Sequence, residues 1–129
     1  MPIIKRILSI DDQASICQMI QFTMSDLSDD KVTYEVDTAS DGASGIEMAK
    51  NKSYDLVITD QKMPGPIDGI TVIKTLKALP NYHNTPIVML TMETTETMKN
   101  AARSAGASGW MNKPFTPISL TTMVQKVLR

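Results

Sequence analysis

Along this chain, compact apolar runs alternate with stretches whose apolar residues recur at spacings of three and four. The runs are Ile7-Leu8-Ser9-Ile10, Leu56-Val57-Ile58 and Ile87-Val88-Met89-Leu90-Thr91, with a last strand expected over Ala107 to Asn112. A short continuous run closed by Pro, Gly or polar residues reads as a parallel strand buried on both faces. Val32-Thr33-Tyr34-Glu35-Val36 instead alternates apolar and polar residues, the pattern of a strand at or near a sheet edge with one wetter face. The segment from Tyr54 to Asp60 is expected at the centre of the sheet.

The intervening segments read as helices. Ile16, Cys17, Ile20, Met24 and Leu27 mark the first, and Ala43, Ile46 and Ala49 the buried face of a second opened by Ser40-Asp41-Gly42. The third carries Ile70, Ile73, Leu76 and Leu79, capped by Asp68 and stopped by Pro80. A fourth, from Glu93 to Ala105, sets Met98, Ala101, Ala102 and Ala105 on one face and closes at Gly106. The fifth takes Thr116 as N-cap and Pro117 at N1, with Leu120, Val124, Val127 and Leu128 inward. Strands and helices in strict alternation imply right-handed crossovers within a parallel sheet covered on both faces, a doubly wound α/β domain.

Composition narrows the functional classes. At 129 residues, 42% hydrophobic and 21% charged, the chain reads as a single globular domain over 1–129 with enough core to need no disulfide or structural metal. Thirteen Lys and Arg balance 14 Asp and Glu, so the basic excess of a direct nucleic-acid binder is missing. Cys17 is the only cysteine and reads as a small core residue. No apolar run approaches a membrane span, and Lys5-Arg6 precedes too short a stretch for a secretory signal, so membrane insertion is not expected and a cytoplasmic location is.

The candidate chemistry lies where the strands end. Asp11 and Asp12 follow the first strand, Asp60 the third, Thr91 closes the fourth and Lys113 follows the fifth. Each alone is an ordinary turn residue, since Asp bonds its own backbone wherever a strand gives way to a loop. In a parallel sheet, however, these ends share one edge, and ligands of open α/β sheets bind in the crevice beyond it. Three converging carboxylates repel one another, so at least one should have a raised pKa unless a cation intervenes. Oxygen ligands with room for water and a phosphate oxygen suit Mg²⁺. Asp60 is then a candidate nucleophile towards a phosphoryl group, with Lys113 pairing its oxygens and the Thr91 hydroxyl donating to it. His83, in the polar loop Asn81-Tyr82-His83-Asn84, reads as solvated.

These residues, with Met63-Pro64, Asp68-Gly69, Glu93, Gly106-Ala107-Ser108-Gly109-Trp110 and Lys113-Pro114-Phe115, closely resemble the receiver domain of two-component response regulators, in particular the stand-alone CheY-like chemotaxis regulators. The resemblance implies a flavodoxin-like sheet in 2-1-3-4-5 order. It implies that Asp12, Asp60 and the Lys62 backbone carbonyl bind Mg²⁺ directly, with Asp11 acting through water, and that the Lys113-Pro114 bond is cis. It further implies a switch in which phosphorylation draws in Thr91 and the aromatic at Trp110 moves inward, rebuilding the face formed by the fourth helix, last strand and last helix. A sensor histidine kinase is the implied phosphodonor, a flagellar or other motility switch a candidate target, and a phosphatase a further partner. With no output domain expected, output would come from binding another protein.

Three features depart from the family pattern. Tyr or Phe is usual where Trp110 stands, and an indole adds an N–H that needs a partner. Gly65-Pro66-Ile67 makes the loop before Asp68-Gly69 one residue longer than usual. Lys62 and Glu93 carry opposite charges and are expected to pair across the mouth of the site, slowing water attack on an acyl phosphate. Met98, Met111 and Met123 near the expected partner face fit docking and core packing equally well. Competing readings are a flavin carrier of the same fold, disfavoured because Asp11-Asp12 would repel a phosphate monoester, and an aspartyl phosphatase, disfavoured because no second Asp stands two residues after Asp60. A receiver-fold binding module that acts without phosphorylation remains the alternative.

Overall fold

The computed structural model describes residues 2–93 and 95–128. Strands β1 (Ile3–Ile10), β2 (Val32–Ala39), β3 (Leu56–Thr59), β4 (Ile87–Thr91) and β5 (Gly109–Asn112) alternate with helices α1 (Ala14–Leu27), α2 (Gly42–Asn51), α3 (Gly69–Lys77), α4 (Glu96–Ala105) and α5 (Pro117–Val127). All strand pairs are parallel, in the order β2-β1-β3-β4-β5. This is the doubly wound, flavodoxin-like arrangement expected from the alternation.

The strands sort their side chains to two cores. Leu8, Ile10, Val57, Ile87 and Met89 face α2, α3 and α4 through Ile46, Val72, Leu76 and Ala102, while Ile7, Leu56, Ile58, Val88 and Leu90 face α1 and α5 through Ile20, Met24, Leu120 and Val124. Full burial of each such aliphatic side chain is worth roughly 1.5–3 kcal/mol, so β1, β3 and β4, closed in on both faces, anchor the sheet. No helix among the described residues is long and apolar enough to cross a membrane.

The caps follow the local chemistry. Asp41, Asp68, Thr95 and Thr116 each accept at the N-cap from the backbone N–H three residues on, and Thr116 and Ser119 form a reciprocal capping box. Gly106 ends α4 with φ +113°, a left-handed conformation that glycine reaches without a Cβ penalty.

Several boundaries and faces differ from the sequence reading. Ala43 is exposed, and α2 instead buries Gly42 and Gly45, where a Cβ on Gly45 would come within 2.4 Å of Ile10 Cδ1. Helix and strand approach so closely that only glycine fits, which apolar periodicity does not register. In α3, Val72 is buried while Ile70 is half-buried, and Leu79, also half-buried, lies beyond the end of the helix. Strand β1 begins at Ile3, because Ile3 to Arg6 pair with Val32 to Glu35, and β3 begins at Leu56 rather than Tyr54. Helix α4 begins at Glu96, three residues later than expected, since Thr95 is its cap. Helix α3 stops at Lys77, ahead of Pro80, and the Lys77 ammonium donates to the carbonyls of Tyr82, His83 and Thr85 in the following turn.

Candidate functional site

Sheet hydrogen bonds carry the polar strand ends into one crevice. Beyond β1 the Asp11 N–H donates to the Ala39 carbonyl at 3.0 Å, and beyond β3 the Asp60 N–H donates to the Ile10 carbonyl at 2.9 Å. Beyond β5 the Lys113 N–H donates to the Thr91 carbonyl at 3.0 Å. The ladder thus continues one residue past each strand and fixes these residues side by side, at the point where the strand order reverses about β1.

Asp60 is 7% exposed and both of its oxygens are engaged: Oδ1 accepts from the Gln61 N–H at 2.7 Å and Oδ2 from Lys113 Nζ at 3.0 Å. Lys113 Nζ also donates to Gln13 Oε1 at 2.8 Å and lies 2.6 Å from Asp11 Oδ2. That last contact is a close ion pair, so the buried Asp11 carboxylate is held by the ammonium through Oδ2. Asp11 Oδ1 accepts from the Gln13 N–H at 2.9 Å, an Asx turn that orients the carboxylate. Asp12, by contrast, is exposed.

The carboxyl of Asp11 is pushed above the ordinary range. Burial is the main cause, the contacts with Lys113 and the Gln13 N–H oppose it, and the charge of Asp60 adds only the least. The rise expected from crowded carboxylates therefore occurs, but desolvation rather than mutual repulsion leads it. For the Lys113 ammonium burial works downward, yet its contacts with Asp11 and Asp60 outweigh it and the pKa is raised.

One carboxylate oxygen from each of Asp11, Asp12 and Asp60 can be chosen so that all lie within 4.8 Å of one another. With an all-oxygen donor set from two buried carboxylates, Asp11 and Asp60, and an exposed side at Asp12, the cluster fits a hard divalent cation that keeps some water. Lys62, whose carbonyl the family resemblance implies as a further ligand, lines the same depression as Asp12 and Asp60.

Thr91 is 2% exposed, with Oγ1 accepting from the Glu93 N–H at 3.4 Å. It lines one open depression with Asp12, Gln13, Asp60, Lys62, Met92, Glu93 and Lys113. Lys62 Nζ reaches Glu93 Oε1 at 3.5 Å, so the expected pair does form at the mouth. Trp110 stands apart, half-buried and packed on the core that holds Met89, Ala102 and Ala105, and it lines a separate cleft with Lys99 and Arg103. The Lys113-Pro114 bond is cis.

Two residues that sequence reading missed support the site. Gln13, the N-cap residue of α1, holds Lys113 through its Oε1. Gln61, 6% exposed, ties the loop after β3 to α3: its Nε2 donates to Asp68 Oδ2, its Oε1 accepts from the Ile70 N–H, and its carbonyl accepts from the Gly69 N–H. A Cβ on Gly69 would come within 2.2 Å of the Asp60 carbonyl oxygen, so this glycine admits α3 to the site. Glutamine has no sequence signature for such work. Only the neighbouring Asp60 and Asp68-Gly69 could have drawn attention to Gln61.

A model of the response regulator receiver domain matches residues 7–125. The chain belongs to this family. The receiver is 34% identical over 125 residues to the alkaline phosphatase synthesis transcriptional regulatory protein PhoP of Bacillus subtilis, an alignment covering 97% of this chain and 49% of that one. It is 31% identical over 122 residues to the chemotaxis protein CheY-3 of Vibrio cholerae, covering 95% and 90% of the two chains. Among solved structures, CheY4 of Vibrio cholerae superposes with a TM-score of 0.88 at 37% identity over 97% of this chain and 99% of that one. The receiver spans about half the length of the two Bacillus subtilis transcriptional regulators that it matches. The resemblance read from the strand-end residues is therefore correct at the level of family and fold.

Proposed function

We propose that this receiver accepts a phosphoryl group on Asp60 from a sensor histidine kinase, in a Mg²⁺-dependent reaction, and thereby switches the face formed by α4, β5 and α5 to bind a target protein. The observation that carries this reading is the position of Asp60: buried at the end of the central strand, within reach of Asp11 and Asp12, and held by the Lys113 ammonium at 3.0 Å.

The chain's own residues divide the work. Asp60 would attack phosphorus, so that an O–P bond to its carboxylate forms as the N–P bond to the donor imidazole breaks. Lys113 sits where it can exchange its contact with Asp60 for the oxygens of the arriving group, and its neighbours Asp11 and Gln13 keep the ammonium charged and aimed. The Thr91 hydroxyl, at the end of the adjoining strand, would donate to the same group and so register its presence. Asp11, Asp12, Asp60 and the Lys62 carbonyl would hold Mg²⁺, which when bound supplies charge neutralisation for the transferring group.

The similarity to CheY-3 and CheY4, named as chemotaxis proteins, supports a target in chemotaxis or motility, and a phosphatase would be a further partner. Incubation with acetyl phosphate, with and without Mg²⁺, followed by intact mass of wild type and Asp60→Asn, tests the chemistry. A single phosphoryl adduct requiring both Mg²⁺ and Asp60 is expected. No adduct on folded wild type would reject the phosphoacceptor reading in favour of a binding module that works unphosphorylated.

A further inference from the structure

The indole N–H of Trp110 donates to Asn112 Oδ1 at 2.8 Å. Two residues apart on β5, the pair projects to one face of the sheet. The parallel register sets Trp110 beside Met89 and Asn112 beside Thr91. Asn112 therefore touches the aromatic on one side and neighbours, across the ladder, the hydroxyl residue that lines the candidate site. Its own chain neighbour is Lys113, whose N–H is bonded to the Thr91 carbonyl.

We propose that Asn112 is a positioning residue that latches Trp110 in its present orientation against α4 and sets how readily the ring leaves it. This rests on the reading of Asp60 as a phosphoacceptor to which Thr91 responds. An indole has one donor and no acceptor, so a ring that turns away from Asn112 loses its only hydrogen bond unless another acceptor receives it. Asn112 is exposed, so it is not needed to fill the core, and truncating it removes the acceptor without opening a cavity. The latch also acts where the switch is read out, since Trp110 walls the cleft bounded by Lys99, Ala102 and Arg103 of α4. A shift of Thr91 towards a phosphoryl group on Asp60 alters the strand position facing Asn112, and with it the strength of the latch. One hydrogen bond of this kind biases the ring between two orientations roughly fivefold.

Trp110 is the only tryptophan of the chain, so its fluorescence reports this ring alone. Emission maximum and acrylamide quenching are measured for wild type, Asn112→Ala and Asn112→Asp, before and after acetyl phosphate with Mg²⁺, with intact mass recorded on the same samples. Before phosphorylation, Asn112→Ala should be displaced towards the phosphorylated wild type, whereas Asn112→Asp, which keeps the acceptor oxygen, should match unphosphorylated wild type. If Asn112→Ala and wild type are indistinguishable before phosphorylation, or if Asn112→Asp behaves as Asn112→Ala does, the latch is wrong. Adduct mass separates this from failure of the phosphoacceptor reading: a wild type that takes up no phosphoryl group rejects that reading, and with it the coupling of the latch to Asp60.

Discussion

Lys62 Nζ lies 3.5 Å from Glu93 Oε1, so the loop after β3 and the loop after β4 are joined by an ion pair over the depression that holds Asp60. The lysine side chain is 83% exposed and the glutamate 25%, which places the pair in high dielectric and limits its worth to stability to less than about 1 kcal/mol. Its expected consequence, on the phosphoacceptor reading proposed above, is kinetic. Lys62→Ala should leave the melting temperature within a few degrees and shorten the lifetime of the phosphorylated protein, because water gains an unobstructed path to the acyl phosphate. Phosphate release followed after removal of the donor checks this, and an unchanged rate would reject the role.

Lys113 is the central charge of the site. Its side chain is 5% exposed between Asp11 and Asp60, so Lys113→Met leaves two buried carboxylates facing each other. Breaking a buried pair in this way typically costs about 3–5 kcal/mol. Mg²⁺ bound as proposed would restore the missing positive charge, so the variant should gain more stability from added Mg²⁺ than wild type does, and chelation should widen the gap. Thermal melts with Mg²⁺ and with a chelator measure both terms.

Gly69 meets the Asp60 carbonyl more closely than any side chain permits. Gly69→Ala must push α3 or the Asp60 loop aside, at a cost of about 1–3 kcal/mol. Because the displaced backbone is that of Asp60 and Gln61, phosphoryl uptake should fall more than stability alone explains. Uptake at a temperature where the variant is fully folded separates the two effects.

A pH-dependent contribution comes from β2, the edge strand beside β1. Asp37 Oδ2 accepts from Tyr54 Oη at 2.7 Å and from Lys52 Nζ at 2.9 Å. The Tyr54 hydroxyl first, and then Lys52, hold its carboxyl below the ordinary 3.8. The unfolded chain therefore binds more protons near that pH, and the stabilisation is present above 3.8 and lost as pH falls through the lower folded value. Tyr54→Phe should cost about 1 kcal/mol near neutral pH, with the difference from wild type shrinking below the unfolded pKa. Urea unfolding of both proteins between neutral and acid pH gives the two curves.

Legibility in the sequence followed the range of the interactions. The alternation of elements, the caps at Asp68 and Thr116, the stop at Gly106 and the polar strand ends depend on neighbours within a few residues, and such short-range chemistry is written directly in residue order. The membership of Asp11, Asp12, Asp60, Thr91 and Lys113 in one crevice was legible too, because parallel strands necessarily end on one edge. Thr95, however, gave no warning that it displaces the start of α4, since Glu93 is an equally good first-turn residue.

The sequence by itself determined which chemistry stands at the strand ends, because strand periodicity and turn residues are local. Tertiary structure alone decided that Gln13 and Gln61 brace the site, that Gly42 and Gly45 rather than Ala43 join Ile46 and Ala49 on the buried face of α2, that desolvation leads the rise in Asp11, and that the Trp110 N–H finds Asn112. The physical reason is the same in each case. Close approach, burial and side-chain direction are properties of two surfaces brought together, and neither strand nor helix carries them alone.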